Sequence, residues 1–192
     1  MLLKGVKIGF AITGSFCTFA KTLPQVEILV NEGAEVYPII SEAVNKFDTR
    51  FGTAEEFKNK LHIITGNKSI NTIVDAEPIG PKALLDILVI APCTGNTIAK
   101  IANAITDGPV TMACKAHLRN MRQVVIAVST NDGLSANAKN IGTLLNMKNI
   151  YMVPFGQDDP IKKCTSLVAD FDKILLTVLS ALQNTQIQPI LI

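Results

Sequence analysis

Four short segments of the sequence carry hydroxyl, amide or glycine residues directly after an apolar run. They are Thr13–Phe16, Ser41, Pro92–Thr97 and Ser129–Gly133. Their side chains offer neutral hydrogen-bond donors and acceptors, and no nucleophile stands beside a base. A glycine turn that leads into a helix can also bind phosphate through backbone N–H groups. These residue types therefore suit the binding of a phosphorylated cofactor, and the catalytic residues stay unknown.

The first segment places Gly14, Ser15 and Phe16 at a turn between an apolar run and a helical pattern. It lacks the GxGxxG pattern, and no acidic residue follows at the spacing that a ribose diol requires, so a mononucleotide is favoured over a dinucleotide. Taken alone, a glycine after a strand is more often a tight turn than a phosphate site. Ser41 ends the next apolar run and is a second candidate for ligand binding.

The third segment combines Thr94, Asn96 and Thr97 at the start of a helical pattern, directly after Pro92 and Cys93. These polar side chains could hold a ligand, whereas Thr94 or Asn96 could instead be only the helix N-cap. Cys93 lies where a helix N-terminus would lower the pKa of a thiol, yet the sequence places no partner base. We expect this segment to bind a cofactor and not to supply a nucleophile.

The fourth segment contains Ser129, Asn131 and Asp132. Asn131 and Asp132 could bind a cofactor or substrate, or they could merely form an Asx turn. Because the segment follows an apolar run like the other three, we expect Ser129 and Asn131 to contact the cofactor.

The composition excludes several classes of protein. The 192 residues are 48% hydrophobic and 18% charged, which is typical of one globular domain and not of a disordered chain. The net charge is +2 without a basic stripe, so we do not expect nucleic-acid binding. No apolar run approaches the roughly 18 residues of a transmembrane helix, and no secretory signal is visible. The four cysteines lack CxxC spacing, so we expect no disulfide, no metal and a cytoplasmic location.

Five apolar runs must position the four segments, and each run is predicted to be a strand. They are Val6–Ile12, Glu35–Ile40, Asp86–Ala91 closed by Pro92, Gln123–Ser129 and Asn149–Pro154. The runs are apolar nearly throughout, as expected for strands that helices cover on both faces.

Helical patterns separate the predicted strands. The first helix is predicted after Ser15, with its start or a kink at Pro24, and a second runs from the Thr53 capping box through Leu61. The remaining helices are predicted over Asn96–Ala104, Pro109–Arg119, Ser135–Met147 and Ser166–Leu182, and Asp107 is predicted to be the N-cap of the helix at Pro109. The polar stretch Gly156–Lys163 is predicted to be a surface loop. This alternation predicts one α/β domain over residues 1–192, a Rossmann-like doubly wound parallel sheet in three layers. In such a sheet ligands bind beyond the carboxyl ends of the strands, where all four segments lie.

The stretch APCTGNTIAKIANAITDGP, residues 91–109, resembles the P-x-S-A-N-T-x-x-K-I-A-x-G-x-x-D-N signature of a flavoprotein family. That family includes cysteinyl-peptide decarboxylases, phosphopantothenoylcysteine decarboxylase and prenyl-flavin-forming enzymes. The resemblance implies FMN as the cofactor. It also implies the positions of the cofactor contacts. Gly14, Ser15, Phe16 and Ser41 would contact its phosphate end, and Thr94, Asn96 and Thr97 its ring or sugar, with Asp107 in support.

The chain departs from the decarboxylases of that family at their catalytic positions. The decarboxylases carry a histidine shortly before the third strand, where this sequence has Glu77–Pro81, and neither His62 nor His117 occupies a matching position. The Met-rich substrate clamp of the decarboxylases is also absent, and the chain contains no tryptophan. Asn96 matches their reactive asparagine but lacks its companions, so we do not expect decarboxylation.

One branch of the family resembles the rest of the chain closely. The shared stretches are NEGAEV at 31–36, the TRFG segment ending at Gly52, AEPIGPK at 76–82, VSTNDGL at 128–134 and NIYMVPFGQDDP at 149–160. Members of that branch oxidise dihydrodipicolinate to dipicolinate in the mother cell of sporulating bacteria, together with a Rossmann-type A subunit. The resemblance implies the same partner, with NAD(P) reaching the site through that subunit as a further cofactor. It also implies a homo-oligomer, either a trimer or a dodecamer.

An oxidation of this kind requires a cofactor that accepts a hydride, and a substrate with two carboxylates suits arginine. Arg50 is the first candidate for substrate binding, followed by Lys115 and Arg119, and each of them could also be an ordinary surface charge. Two alternatives stay open for the whole chain. It could be a non-catalytic, substrate-binding accessory of a nicotinamide-dependent A subunit, or a nucleotide-binding regulator.

Overall fold

Helices cover both faces of a central sheet in the computed structural model, which describes all residues from 1 to 192. The strands are β1 Lys7–Ile12, β2 Glu35–Ile40, β3 Ile87–Cys93, β4 Val124–Thr130, β5 Ile150–Met152, β6 Phe155–Asp159 and β7 Lys163–Ala169. The helices are α1 Phe19–Asn31, α2 Glu42–Lys46, α3 Ala54–Thr65, α4 Ile73–Ala76, α5 Gly95–Ala102, α6 Pro109–Arg119, α7 Ala138–Leu145 and α8 Ile174–Leu182. No helix combines the length and the apolar composition needed to cross a membrane.

Parallel pairing dominates the sheet, whose strand order is β2-β1-β3-β4-β7-β6, with β5 paired to β4. Strands β1 to β5 pair in parallel. The predicted α/β, Rossmann-like fold is therefore confirmed, with one difference: β7 pairs antiparallel with the end of β4 and with β6, so the sheet is mixed. Every residue of β3 is buried, as its continuous apolar sequence predicts.

The prediction that Pro92 closes the third strand is wrong. β3 runs through Pro92 and ends at Cys93, which is in register with Val128 of β4. Proline lacks a backbone donor, but its carbonyl can still accept. The Thr13 N–H donates to that Pro92 carbonyl at 3.3 Å, so the ends of β1 and β3 are held together beyond their regular pairing.

The predicted α6 has the observed bounds, and the Thr53 capping box at the start of α3 is confirmed. Thr53 Oγ1 accepts from Glu56 N at 3.2 Å, and Glu56 Oε2 accepts from Thr53 N at 2.8 Å. Asp107, in contrast, is not the N-cap of α6. Gly108 occupies that position, and the Asp107 carboxylate instead accepts from Lys100 at 2.7 Å. α1 begins at Phe19 and contains Pro24 in its interior.

The predictions for residues 156–182 contain the largest errors. The single helix predicted over Ser166–Leu182 is wrong, because its first residues form β7 and α8 begins only at Ile174. The predicted surface loop Gly156–Lys163 lies largely in the β6–β7 hairpin. The apolar run Leu167–Ala169 fits either periodicity, and its pairing with both β4 and β6 decides for the strand.

Candidate functional site

Two depressions of nearly equal size open at the carboxyl ends of the parallel strands. The first depression, of about 590 Å³, is lined by the loops after β1, β2 and β3 and by the start of α6, and includes Ser41, Asn96 and Thr97. The second depression, of about 580 Å³, is lined by the loops after β1 and β4 and by the β6–β7 hairpin. Both volumes lie within the range of ligand-binding pockets. Gly14 and Thr94 line both, so they form the border between them.

Thr13 holds the strand ends beneath this border. Its buried hydroxyl donates to the Pro92 carbonyl at 2.7 Å and accepts from the Thr94 N–H at 3.0 Å. Ser15 and Ser129 add a hydrogen bond between their hydroxyl oxygens, 2.8 Å apart. Since β1 and β4 are not neighbours in the sheet, this bond joins two loops across the end of β3. The floor of both depressions is therefore fixed by side chains as well as by the sheet.

The first turn of α5 leaves its backbone donors free at the first depression. Thr94 is the N-cap residue, but its hydroxyl accepts no hydrogen bond from the first turn and lies 3.2 Å from Thr97 Oγ1. Ser41, in contrast, does cap α2, because its hydroxyl accepts from Val44 N at 3.4 Å. The uncapped N–H groups of α5 and the hydroxyls of Thr94 and Thr97 are thus available to an anionic or polar ligand.

A partly buried polar network supports the opposite side of α5. The Asp132 carboxylate accepts from Thr130 Oγ1 at 2.5 Å and from Asn137 Nδ2 at 2.8 and 2.9 Å, and Asn137 in turn accepts from Asn140. A Cβ on Gly95 would overlap Thr130 Oγ1 and lie 2.7 Å from Asn137 Nδ2. Only glycine lets α5 approach this network, and the carboxylate of Asp132 is held by these hydrogen bonds and lines neither depression.

The two depressions differ in charge. The first contains Glu42, Asp107 and Lys100, so it carries one more acidic than basic side chain. The hydrogen bond from Lys46 lowers the pKa of Glu42 and keeps that carboxylate ionised. The second depression contains three basic side chains and one acidic side chain, namely Lys21, Arg50, Lys163 and Asp158. Its hydrogen bond to Asp158 raises the pKa of Lys163, so this ammonium stays protonated.

The chain is similar to known proteins over nearly its whole length. A family model described as Flavoprotein matches residues 2–183. The chain belongs to the flavoprotein family. It is 52% identical to the B subunit of dipicolinate synthase from Bacillus subtilis (strain 168) over 190 residues, which cover 99% of this chain and 95% of that protein. A crystal structure of the corresponding B subunit from Bacillus halodurans C superposes with a TM-score of 0.92 at 48% identity, covering 100% of this chain and 98% of the other.

A more distant flavoprotein shares the fold. The crystal structure of Burkholderia xenovorans DmrB in complex with FMN superposes with a TM-score of 0.69 at 16% identity, over 93% of this chain and 96% of DmrB. At that identity the likeness shows the fold alone. The predicted resemblance to the flavoprotein family, and to its dipicolinate-forming branch, is confirmed by the relatives that match the chain over its length.

In this flavoprotein, nine of the eleven residues predicted to contact the cofactor line one or both depressions. They are Gly14, Ser15, Phe16, Ser41, Thr94, Asn96, Thr97, Ser129 and Asn131. Pro92 and Cys93 line neither, because both are buried within β3. Burial raises the pKa of the Cys93 thiol well above its usual value, and Cys114 nearby adds to this effect. Cys93 is therefore a core residue and not a nucleophile.

The three predicted substrate-binding residues are not brought together. Arg50 lines the second depression, with its guanidinium 4.8 Å from the centroid of the Phe51 ring. Lys115 and Arg119 lie on the second half of α6 and line a third depression of about 280 Å³. The first turn of α6 borders the first depression, and the ten residues to Arg119 span about 15 Å along the helix axis. They line a different depression from Arg50, and their role in substrate binding stays a prediction.

Sequence reasoning missed Lys21, Asp158 and Lys163, which line the second depression. Lys21 lies in the first turn of α1, directly after the predicted Gly14 turn, so its position alone could have identified it. Lys163 and Asp158 could not be found in this way, since they reach the site only through the unpredicted β6–β7 hairpin. His62 and His117 line none of the three depressions.

Proposed function

We propose that this chain is a subunit of a dipicolinate-forming oxidoreductase, which takes part in oxidising dihydrodipicolinate to dipicolinate and binds FMN. The observation that carries the proposal is the convergence of the loops after β1, β2 and β3 on one depression of about 590 Å³ with uncapped helix donors. The identity of 52% over 99% of the chain to the B subunit of a dipicolinate synthase supports the choice of reaction.

The donor set of the first depression fits a flavin mononucleotide. The Gly14 turn and Ser41 offer a backbone donor and a hydroxyl to a phosphate, and the first turn of α5 adds uncapped N–H groups. Thr94, Asn96 and Thr97 offer two hydroxyls and an amide, which suit the ribityl chain and the polar edge of the ring. A bound flavin would supply the hydride acceptor for the oxidation.

The protein's own residues would bind and orient the reactants. Thr13 and the bond between Ser15 and Ser129 fix the loops that hold the cofactor. Phe47, at the mouth of the first depression, is 58% exposed, so its ring is available to cover a planar group. Neither histidine lines the depressions, and the role proposed for these residues is to position the reactants.

We further propose that the activity requires an A subunit, and that the complex works in the cytoplasm of the mother cell during sporulation. A homo-oligomer, trimeric or dodecameric, is the expected form of this chain. The exposed Phe47 beside the first depression supports a second copy or a partner covering that mouth. Light scattering of the chain alone, and again with the A subunit, measures both assemblies.

A second candidate is an accessory subunit that holds the substrate for a nicotinamide-dependent A subunit, with NAD(P) brought by that partner. The excess of basic side chains in the second depression favours it, because such a site could bind a dicarboxylate without any flavin. The two candidates differ in whether the purified chain retains FMN.

A visible absorption spectrum of the partner-free protein, taken after incubation with FMN and dialysis, tests the proposal. We expect a retained flavin spectrum, which Asn96→Leu with Thr94→Val abolishes. Asn146→Leu, at the C-cap of α7 and outside both depressions, is the matched control and should retain the flavin. A wild-type protein that stays colourless would overturn flavin binding and leave the accessory function.

A further inference from the structure

The second depression has cationic side chains without acidic partners. Lys163 pairs with Asp158, whereas neither Lys21 nor Arg50 takes part in any salt bridge or side-chain hydrogen bond of the structure. Lys21 is contributed by α1, Arg50 by the loop before α3, and Lys163 by β7. Two unpaired cations from separate elements, beside a third that is paired, make a site for an anion with more than one charge.

The position of the Arg50 guanidinium leaves its N–H donors free for a ligand. Its guanidinium lies 4.8 Å from the centroid of the Phe51 ring, and both side chains line the depression. A guanidinium held against an aromatic ring keeps the N–H groups along its edge free, and that edge can bind a carboxylate through two parallel hydrogen bonds. Phe51 therefore orients Arg50 for a bidentate contact.

Aromatic surface accompanies these charges. Phe16 and Phe51 both line the second depression, and Phe51 is 44% exposed. A phosphate group gains nothing from contact with aromatic side chains. A planar ring that carries carboxylates can pack against the two phenyl rings and pair with the cations at the same time. The combination distinguishes this depression from the first, where the phenyl ring of Phe47 stands beside acidic side chains.

We infer that the second depression binds a planar ring dicarboxylate, with Arg50 holding one carboxylate and Lys21 the other. Lys163, oriented by Asp158, completes the positive field, and the serine hydroxyls at 15 and 129 lie at the same site. The inference rests on the proposed function for the identity of the ligand as the dicarboxylate substrate or product. It places that ligand next to the first depression, across the border formed by Gly14 and Thr94.

Calorimetric titration of the partner-free protein with pyridine-2,6-dicarboxylate tests this site. Arg50→Gln should weaken binding by about tenfold or more, and Lys21→Gln by a smaller factor, since hydrogen bonds between charged groups are the strong ones. Lys139→Gln, on the exposed side of α7, is the control and should bind like the wild type. If Arg119→Gln weakens binding and Arg50→Gln does not, the dicarboxylate binds in the third depression and the inference is overturned.

Cysteine labelling gives a second measurement that does not depend on a variant. Cys17 and Cys164 are both exposed, but only Cys17 lines the second depression. Saturating pyridine-2,6-dicarboxylate should slow the alkylation of Cys17 at least about fivefold and leave that of Cys164 unchanged. Equal rates with and without ligand would contradict the inference. So would equal protection by the same concentration of inorganic phosphate, which would assign the depression to phosphate.

The two proposals can fail separately. If the protein retains FMN but does not bind pyridine-2,6-dicarboxylate, the dicarboxylate site is wrong and the flavin site stands. If it binds the dicarboxylate with the expected loss in Arg50→Gln but retains no FMN, the flavin function is wrong and the dicarboxylate site stands.

Discussion

The two depressions have almost the same volume and share a border, yet they are built by different parts of the fold. The first depression uses the loops after β1, β2 and β3 and the helices that follow them, as in any doubly wound sheet. The second shares the loop after β1 with the first, and it adds Lys21, Arg50, the loop after β4 and residues of the antiparallel β6–β7 hairpin. The first depression has an excess of acidic side chains, and the second has an excess of basic ones.

This difference suits the two depressions to different ligands, a cofactor in the first and a charged substrate in the second. The strand-and-helix units provide backbone donors and small polar side chains, which suit a cofactor common to a family. The hairpin lies at the edge of the sheet and contributes one acidic and one basic side chain, Asp158 and Lys163, to the second depression. The net positive charge of that depression therefore comes from Lys21 and Arg50, which lie outside the hairpin.

Gly95→Ala should damage both depressions and is the largest effect that we expect. The added Cβ would meet Thr130 Oγ1, Asn137 Nδ2 and Asp132 Oδ1 together, and these atoms are fixed by their own hydrogen bonds. Overpacking of this kind should lower the free energy of unfolding by about 3 kcal/mol. Denaturation by urea measures the loss, and flavin and dicarboxylate titrations show whether both sites weaken.

Gly142→Ala is the matched control for that experiment, since Gly142 is also helical and has no atom within 4 Å of an added Cβ. Alanine has the higher helix propensity, so this change should stabilise the protein by about 0.5–1 kcal/mol. Equal effects of the two substitutions would show that the network around Asp132 does not hold α5 in place.

Acidification should destabilise the protein through His117 of α6. This residue is 1% exposed on α6, and burial, together with the charge of Arg122, lowers its pKa to about 4. In the unfolded chain His117 takes up a proton below about pH 6.5, whereas in the folded protein it stays neutral down to about pH 4. The free energy of unfolding is therefore unaffected by His117 above about pH 6.5 and falls as the pH drops towards 4. The free energy of unfolding should fall by about 2 kcal/mol between pH 7 and pH 5.

Hydrogen exchange can localise that effect. The first turn of α6 borders the first depression, whereas α1 borders the second through Lys21. We expect the amides of α6 to lose more protection than those of α1 between pH 7 and pH 5, after correction for the intrinsic exchange rates. His117→Gln should flatten the pH dependence of stability. A slope that is unchanged in this variant would assign the acid sensitivity to other groups.

The sequence predicts the first depression better than the second, and the reason is physical. Strands β1, β3 and β4 are apolar runs that are buried almost throughout, so composition alone locates them. The polar residues that follow each parallel strand must then lie at one edge of the sheet. That reasoning correctly places Ser41, Asn96 and Thr97. It fails for Pro92 and Cys93, because nothing in the sequence shows that β3 continues two residues past Ala91.

The second depression depends on contacts between distant parts of the chain. Residues 166–169 have an apolar pattern that fits a helix as well as a strand, and pairing with β4 and β6 decides between them. Lys163 therefore reaches Asp158 and the depression only in the folded hairpin. Lys115 and Arg119 line a third depression, since a helix length separates them from the end of α6 that borders the first depression.

Thr13→Val should weaken the border between the depressions. Valine has the same shape as threonine but removes the hydroxyl that accepts from Thr94 N and donates to the Pro92 carbonyl. Leaving the Thr94 N–H without its acceptor should lower the free energy of unfolding by about 1.5 kcal/mol. Thr177→Val is the control: that hydroxyl is also buried but only adds a bond to the Lys173 carbonyl at the start of α8. A larger loss in Thr177→Val would contradict this account.

A higher NaCl concentration should weaken ligand binding in the second depression more than in the first, and this is the smallest of the four effects that we expect. Binding of pyridine-2,6-dicarboxylate in the second depression depends on exposed cations, so its Kd should rise about fivefold between 50 and 500 mM NaCl as screening increases. Riboflavin is uncharged, and its binding through the hydroxyls and amide of the first depression should change less than about twofold over that range. Titrations of both ligands at the two salt concentrations compare them directly. Equal salt dependence would mean that charge does not separate the two sites.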